Sequence, residues 1–110
     1  MPTPSPAVPL EVRRALQQLG ADLSEARRRR RLPMEVVAAR ALTTRQTVAR
    51  IERGDPRVSM AAWASVMFAL QLADRLGELA APEHDAEGLA REAERLPKRA
   101  RIPRDAGVNP

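Results

Sequence analysis

The chain has 110 residues, of which 44% are hydrophobic but only 2% aromatic, so the sequence favours one small domain with an aliphatic core. It has no cysteine and one histidine, His84, which excludes disulfides and thiolate sites and leaves no histidine pair to bind a metal ion. The net charge is +5, no apolar run has the length of a membrane span, and the N-terminus lacks the pattern of a signal peptide, so we expect a cytoplasmic protein.

The positive charge is unevenly divided along the chain. Residues 10–58 carry twelve arginines and six acidic residues, a net charge of +6. Residues 59–96 carry three arginines and seven acidic residues, a net charge of −4, and residues 97–110 return to +3. A basic segment attracts phosphate groups, so we expect residues 10–58 to hold any surface that faces nucleic acid.

The N-terminal part predicts a lead followed by a long helix. Residues 1–9 contain four prolines and no apolar periodicity, which is typical of a disordered segment. A helix is expected from Leu10 to about Arg31, because apolar residues recur every three to four positions. These are Leu16, Leu19, Leu23 and Ala26. The helix ends in a run of five arginines, and cations are favourable there because the unpaired carbonyl groups of a helix C-terminus carry partial negative charge. Alternatively, Arg28 to Arg31 contact phosphates or face solvent.

The stretch from residue 32 to 54 predicts two short helices joined by a tight turn. The first is expected at Pro33 to Ala39, with Pro33 at the first helical position, where its missing N–H is not needed. Thr43 or Thr44 caps the second helix, which ends at Gly54. The inward residues of the second helix are Val48 and Ile51, and the outward ones are Arg45, Gln46, Ala49 and Arg50.

This pattern resembles the XRE (Cro-type) phage-repressor-like DNA-binding domains, most closely over residues 32–54 and more loosely from Leu16 to Leu72. The residues at the family's spacing are Leu32, Val37, Ala38, Arg40, Ala41, Thr44, Thr47, Val48, Arg50, Ile51, Glu52 and Gly54. Met34 departs from the family, which often has a phosphate-contacting glutamine there. Leu42 stands where the turn usually has glycine, so it must either accept an unusual backbone or alter the turn.

The resemblance implies a role for each polar position of the second helix. Base readers would be Arg45, Gln46 and Arg50, since arginine can pair with guanine and glutamine with adenine. Thr44, Thr47 and Arg53 would lie near phosphates, with Arg28 as a further phosphate contact. A structural ion pair would join Arg27 to Glu52. The alternative is an ordinary surface helix with exposed polar residues.

Two further helices are expected to complete the domain. Ser59 caps a helix that runs to about Leu70, with Trp63 in the core and Phe68 off the apolar stripe. The expected inner face consists of Met60, Trp63, Val66, Met67 and Leu70. A fifth helix is expected at Ala73 to Ala80, and its inward residues would be Leu72, Leu76 and Leu79.

These elements predict an all-α chain: a disordered lead at 1–9, a five-helix, repressor-like helix-turn-helix domain at 10–80, and an extension at 81–110. Asp85 can cap a short helix in the extension that runs to about Leu96. The basic tail at 97–110 either lies as an arm on nucleic acid or protein or stays in solvent.

The sequence favours a regulator over an enzyme. Its five glycines are scattered rather than grouped into a phosphate-binding loop, and it has neither a cysteine nucleophile nor a histidine-based triad. We therefore expect no cofactor and no metal. Because one such domain offers only a small interface with DNA, we also expect a homodimer on a two-fold DNA operator. Residues 79–104 also resemble antitoxins of the high-persistence (Hip) toxin–antitoxin systems, which implies autorepression and binding of a serine/threonine-kinase toxin. The alternatives are a phage-type or stand-alone regulator, or an interaction adaptor that has lost DNA reading.

Overall fold

The computed structural model of the protein describes residues 7–95. Most of the expected disordered lead and all of the basic tail, residues 97–110, lie outside the described residues, as does Leu96. Every regular element of the described chain is a helix, which confirms the predicted all-α class. Its helices are α1 (Leu10–Arg29), α2 (Met34–Arg40), α3 (Arg45–Glu52), α4 (Met60–Ala69), α5 (Ala73–Gly77) and α6 (Ala86–Arg95), with a short 3₁₀ turn at Pro82–His84. The chain divides into two compact units, one up to Leu76 and one from Gly77 onward.

The first unit has an aliphatic core with one aromatic residue. The buried apolar side chains are Leu23, Ala26, Val37, Ala38, Ala41, Val48, Ile51, Trp63, Val66, Met67, Ala69 and Leu70. Val48 and Ile51 are fully buried, which confirms the predicted inner face of α3. Met60 was predicted to face inward, and that is wrong, because its side chain is 71% exposed. It is the first residue of α4, so although it continues the apolar stripe of Trp63 and Met67, it lies at the end of the helix, where the core does not cover it.

Side-chain hydroxyl groups cap the N-termini of two helices, α3 and α4. Thr44, rather than Thr43, caps α3, because its Oγ1 accepts a hydrogen bond of 3.1 Å from the Thr47 N–H. Ser59 caps α4 in the same way through the Ala62 N–H, also at 3.1 Å, as predicted. The start of α2 differs from the prediction, since Pro33 has an extended backbone and precedes the first helical residue. Its carbonyl oxygen still accepts the first hydrogen bonds of that helix.

Helices α1, α2, α3 and α4 end in the same hydrogen-bonded motif. In each, one residue past the cap adopts a left-handed backbone, and the next residue donates its N–H to a carbonyl five positions back. The left-handed residues are Arg31 (φ 54°), Leu42 (φ 56°), Gly54 (φ 77°) and Gln71 (φ 65°). Leu42 therefore accepts the unusual backbone, and the turn keeps its shape without glycine.

Two glycines allow α1 to approach the end of α3. A Cβ atom on Gly20 would meet the Ile51 carbonyl oxygen and lie 3.0 Å from that of Glu52. A Cβ atom on Gly54 would lie 2.6 Å from the Gln17 Cα atom. Gly20 disfavours the helix by roughly 1 kcal/mol relative to alanine. Its lack of a side chain is nevertheless what brings the two backbones together.

Helix α5 is shorter than the sequence predicted. Leu72 and Leu76 pack against the core, as expected. The prediction that Leu79 faces inward is wrong, since α5 ends at Gly77 and Leu79 is 68% exposed. In the second unit, the Asp85 carboxylate accepts the Gly88 N–H at 3.1 Å and caps α6, as predicted.

Candidate nucleic-acid interface

Helix α3 presents a polar face opposite its buried face. Arg45 and Gln46 are exposed and Arg50 is half-buried, while Val48 and Ile51 on the other side are fully buried. A helix of eight residues is about 12 Å long. The major groove of B-DNA is about 12 Å wide and admits an α-helix. The polar face of α3 can therefore lie along the base edges while the opposite face stays in the core.

The N-terminal end of α3 has unused donors. Thr44 Oγ1 is occupied by the Thr47 N–H and donates to Thr47 Oγ1 at 3.0 Å. The backbone N–H groups of Arg45 and Gln46, the first two helical residues, make no hydrogen bond within the described chain. Free N–H groups at a helix N-terminus attract anions such as phosphate.

A carboxylate lies beside each of the two arginines on this face. Arg45 Nε is 3.3 Å from Glu35 Oε2, and the two side chains are 62% and 68% exposed. Arg50 Nε is 3.8 Å from Asp55 Oδ2, with side-chain exposures of 42% and 11%. Sequence reasoning did not assign either acid to the site. Spacing alone gives no signal for Glu35, because its contact joins two helices across the turn.

Asp55 is held firmly by the turn that follows α3. Its Oδ1 accepts hydrogen bonds from the Arg57 backbone N–H at 2.9 Å and from Arg57 Nε at 3.2 Å. Its Oδ2 accepts from Arg57 Nη2 at 3.1 Å, and its own N–H donates to the Arg50 carbonyl at 3.1 Å. The side-chain hydrogen bond from Arg57, followed by the backbone one, lowers the pKa of Asp55.

The structure brings Arg27 and Glu52 together at the far end of α3. Arg27 Nε donates to Glu52 Oε2 at 2.7 Å, and Nη2 donates to Oε1 at 3.1 Å. Nη1 donates to the Leu32 carbonyl at 3.0 Å. The two side chains are only 13% and 9% exposed, and the hydrogen bond to Glu52 is the largest cause of a raised pKa for Arg27. This bidentate pair ties the end of α1 to the end of α3.

The remaining predicted contacts lie apart from one another. Arg53 is exposed at the C-cap of α3, at the opposite end from Arg45. Arg28 is exposed on α1, where its Nη2 donates to the hydroxyl of buried Ser24 at 2.7 Å. Met34, at the position where the family often has glutamine, is half-buried against the core.

Residues 7–95 contain neither a candidate metal site nor a candidate membrane span. No group of three or more histidine or acidic side chains there could hold a metal ion. No helix in the same range is long and apolar enough to cross a membrane.

Comparison with known proteins adds one match. A family model described as a helix-turn-helix domain matches residues 18–80, more than half of the chain. No curated protein and no solved structure matches. The matched stretch contains α2, α3 and α4, together with the Arg27–Glu52 pair and both carboxylates beside the arginines of α3.

Proposed function

The chain belongs to the helix-turn-helix domain family, and from this premise we propose that it is a sequence-specific DNA-binding repressor of transcription. The observation that carries the proposal is the exposed polar face of α3. Arg45 and Gln46 lie at the N-terminal end of this helix, which also has unused backbone donors. Such a regulator acts in the cytoplasm, in contact with the chromosome, and belongs to a class that is typically not enzymatic.

The proposed base contacts follow from the donors on α3. Arg45 and Arg50 each present a guanidinium that can donate to the N7 and O6 atoms of guanine. Gln46 is exposed, and its amide can both donate to and accept from adenine. These three residues therefore read sequence in the major groove.

The proposed phosphate contacts surround that face. Thr47 Oγ1 accepts from Thr44, so its own O–H remains free to donate to a phosphate. Thr44 lies beside the free N–H groups of α3, and Arg53 is exposed at its other end. Arg28 on α1 adds a further cation to the basic part of the chain. Phosphate contacts fix the position of the protein on DNA without selecting sequence.

A binding experiment separates the two kinds of contact. A preferred duplex is first selected from a randomised pool, and binding is then titrated on this duplex and on a scrambled one at two salt concentrations. Arg45→Ala and Gln46→Ala should remove the preference for the selected duplex, because each good base pair contact discriminates by roughly 1–3 kcal/mol. Arg28→Ala should weaken both duplexes alike and reduce the salt slope by about 0.9 for one lost phosphate contact.

The matched control is Arg91→Ala in α6. Arg91 is an exposed arginine paired with the carboxylate of Glu87, as Arg45 is with Glu35, but it lies outside the helix-turn-helix. This control should leave the preference for the selected duplex over the scrambled one unchanged. Equal losses on selected and scrambled duplexes for Arg45→Ala would refute its role as a base reader. Weak binding of the unaltered chain that does not respond to salt would favour an adaptor that has lost DNA reading.

We propose that the repressor binds as a homodimer through residues 59–96. One support is the exposed apolar surface of α4, where Met60 at the first turn and Phe68 near the last are 71% and 65% exposed. A second copy would cover this apolar surface and place two recognition helices about 34–36 Å apart, one turn of DNA. Light scattering at micromolar concentration should report a dimer, and Phe68→Ser should shift it toward monomer. A monomer with and without DNA would exclude the arrangement.

A finer proposal is that the repressor is the antitoxin of a toxin–antitoxin operon and binds a serine/threonine-kinase toxin. Its support is the acidic composition of the second unit, where the carboxylates are exposed: Glu78, Glu83, Asp85, Glu87, Glu92 and Glu94. Such residues repel DNA and suit a basic protein surface. Co-expression with the neighbouring reading frame should yield a co-purifying protein, and it should rescue growth from the toxicity of the neighbour's product. Failure of both would leave a phage-type or stand-alone regulator.

A further inference from the structure

Both arginines that we assign to base reading meet a carboxylate through the same atom. The closest approach of Glu35 to Arg45 is to Nε, and so is that of Asp55 to Arg50. We propose that Glu35 and Asp55 are positioning residues that direct the two arginines toward guanine. The proposal rests on the proposed DNA-binding function and adds a base identity to it.

The chemistry follows from the shape of the guanidinium group. Arginine has five N–H donors in a rigid plane, one on Nε and four on the two terminal nitrogens. A carboxylate beside Nε leaves the pair of terminal nitrogens for a second partner. Neither Arg45 nor Arg50 uses a terminal nitrogen in a hydrogen bond within the described chain. That free pair matches the N7 and O6 acceptors of guanine, which no other base presents together in the major groove.

Asp55 is suited to this role because it is itself fixed. Three hydrogen bonds from Arg57 hold its carboxylate, whose side chain is only 11% exposed. Arg50 lies against it and is 42% exposed, so it retains one free side. An arginine held at one side by a fixed anion loses less conformational entropy on reaching a base than a free one does.

Glu35 acts from α2 and has a different environment. Both Glu35 and Arg45 are more than 60% exposed, and ion pairs of this kind contribute little to stability. Removing the Glu35 carboxylate should therefore leave the fold unchanged and alter only the direction of Arg45. An arginine released from its carboxylate is also free to contact a phosphate. Affinity for unrelated DNA should then rise while base preference falls, a combination that a purely structural role does not predict.

The test uses the full chain and a duplex selected from a randomised pool. Each guanine of the selected duplex is replaced in turn, and the loss of affinity is measured for the unaltered chain and for Glu35→Gln and Asp55→Asn. Asparagine keeps an oxygen that can accept from the Arg57 N–H. Thermal unfolding shows whether either variant is folded. The matched control is Asp22→Asn, which removes an exposed carboxylate on α1 that accepts a hydrogen bond from Gln18 Nε2 at 3.0 Å.

The expected result is a selective loss. Each variant should reduce the preference for guanine at one position by about fivefold, the lower end of what a good bidentate contact discriminates. Binding to a scrambled duplex should become tighter, and Asp22→Asn should behave like the unaltered chain. If Asp55→Asn unfolds, Glu35→Gln alone tests the proposal. Both members of its ion pair are exposed, so this variant is expected to fold.

The outcomes that overturn the proposal are distinct from a failure of DNA binding. Unchanged guanine preference in folded Glu35→Gln would refute it while leaving the repressor function in place. A selected duplex in which no guanine matters would refute it as well. If the unaltered chain selects no sequence from the pool, the proposed function itself fails and this inference fails with it.

Discussion

Replacing Leu42 by glycine should stabilise the protein. Leu42 has a left-handed backbone, with φ of 56°, and its side chain is 93% exposed, so glycine would remove strain without removing packing. The left-handed conformation disfavours an L-residue by roughly 1–2 kcal/mol. Glycine also has more conformational freedom in the unfolded chain, which offsets roughly 0.5–1 kcal/mol of that gain. We therefore expect Leu42→Gly to add about 0.5–1 kcal/mol to the free energy of unfolding.

Thermal and denaturant unfolding measure this gain. For a domain of this size, 1 kcal/mol corresponds to a Tm change of about 4–8 °C. Leu42→Ala is the control, because alanine keeps the Cβ atom and the strain but removes the exposed isobutyl group. Gly54→Ala should act in the opposite direction, since it adds strain at φ 77° and a contact of 2.6 Å with the Gln17 Cα atom. Equal stability of the glycine and alanine variants at position 42 would refute the explanation by backbone strain.

Three further perturbations probe the contacts that support α3. Glu52→Ala should lower the free energy of unfolding by about 3 kcal/mol, since it leaves the largely buried Arg27 without its partner. A double-mutant cycle should show coupling between the two, and Glu87→Ala, in an exposed pair, should change nothing measurable. Because the folded pKa of Asp55 is lowered, its contribution to stability is present above the unfolded pKa of about 3.9 and is lost as pH falls through the folded value. Urea unfolding at pH 6 and pH 3 should show that loss, and Asp55→Asn should reduce it. Gly20→Ala should lower the free energy of unfolding by roughly 1–3 kcal/mol, because the added Cβ would press on backbone carbonyls of α3. Alanine has the better helix propensity, so a rise in Tm in melting curves would show that helix propensity outweighs the clash.

The sequence predicted the elements whose signals are local. Apolar residues at helical spacing indicated that Val48 and Ile51 are buried, and the hydroxyl of Ser59 indicated where α4 begins. Periodicity shows which side of a helix is apolar, but it does not show how far the neighbouring elements extend over that side. Met60 and Leu79 belong to apolar stripes and are nevertheless exposed, because nothing in the described chain covers them.

Other features have no local signal. Glycine usually marks a left-handed helix end, and Arg31 and Gln71 adopt that backbone without it. Gly20 has an unfavourable helix propensity, and only the packing of α1 on α3 explains its presence. The carboxylate at Glu35 is ten positions from Arg45, and the turn between α2 and α3 determines their approach. Such contacts depend on the three-dimensional arrangement of helices rather than on the order of residues.

The main supports of α3 lie away from two of the residues that we assign to base reading, Arg45 and Gln46. A helix of eight residues is too short to be stable alone in water, so its position depends on tertiary contacts. Those contacts are the buried Val48 and Ile51, the bidentate Glu52 pair at its end, and the glycine-mediated approach of α1. Neither Arg45 nor Gln46 takes part in these contacts, and Arg45 makes only an exposed ion pair with Glu35. Substitutions at these two positions should therefore change which DNA is bound and leave the fold intact, and this separation is what allows one scaffold to carry different DNA specificities.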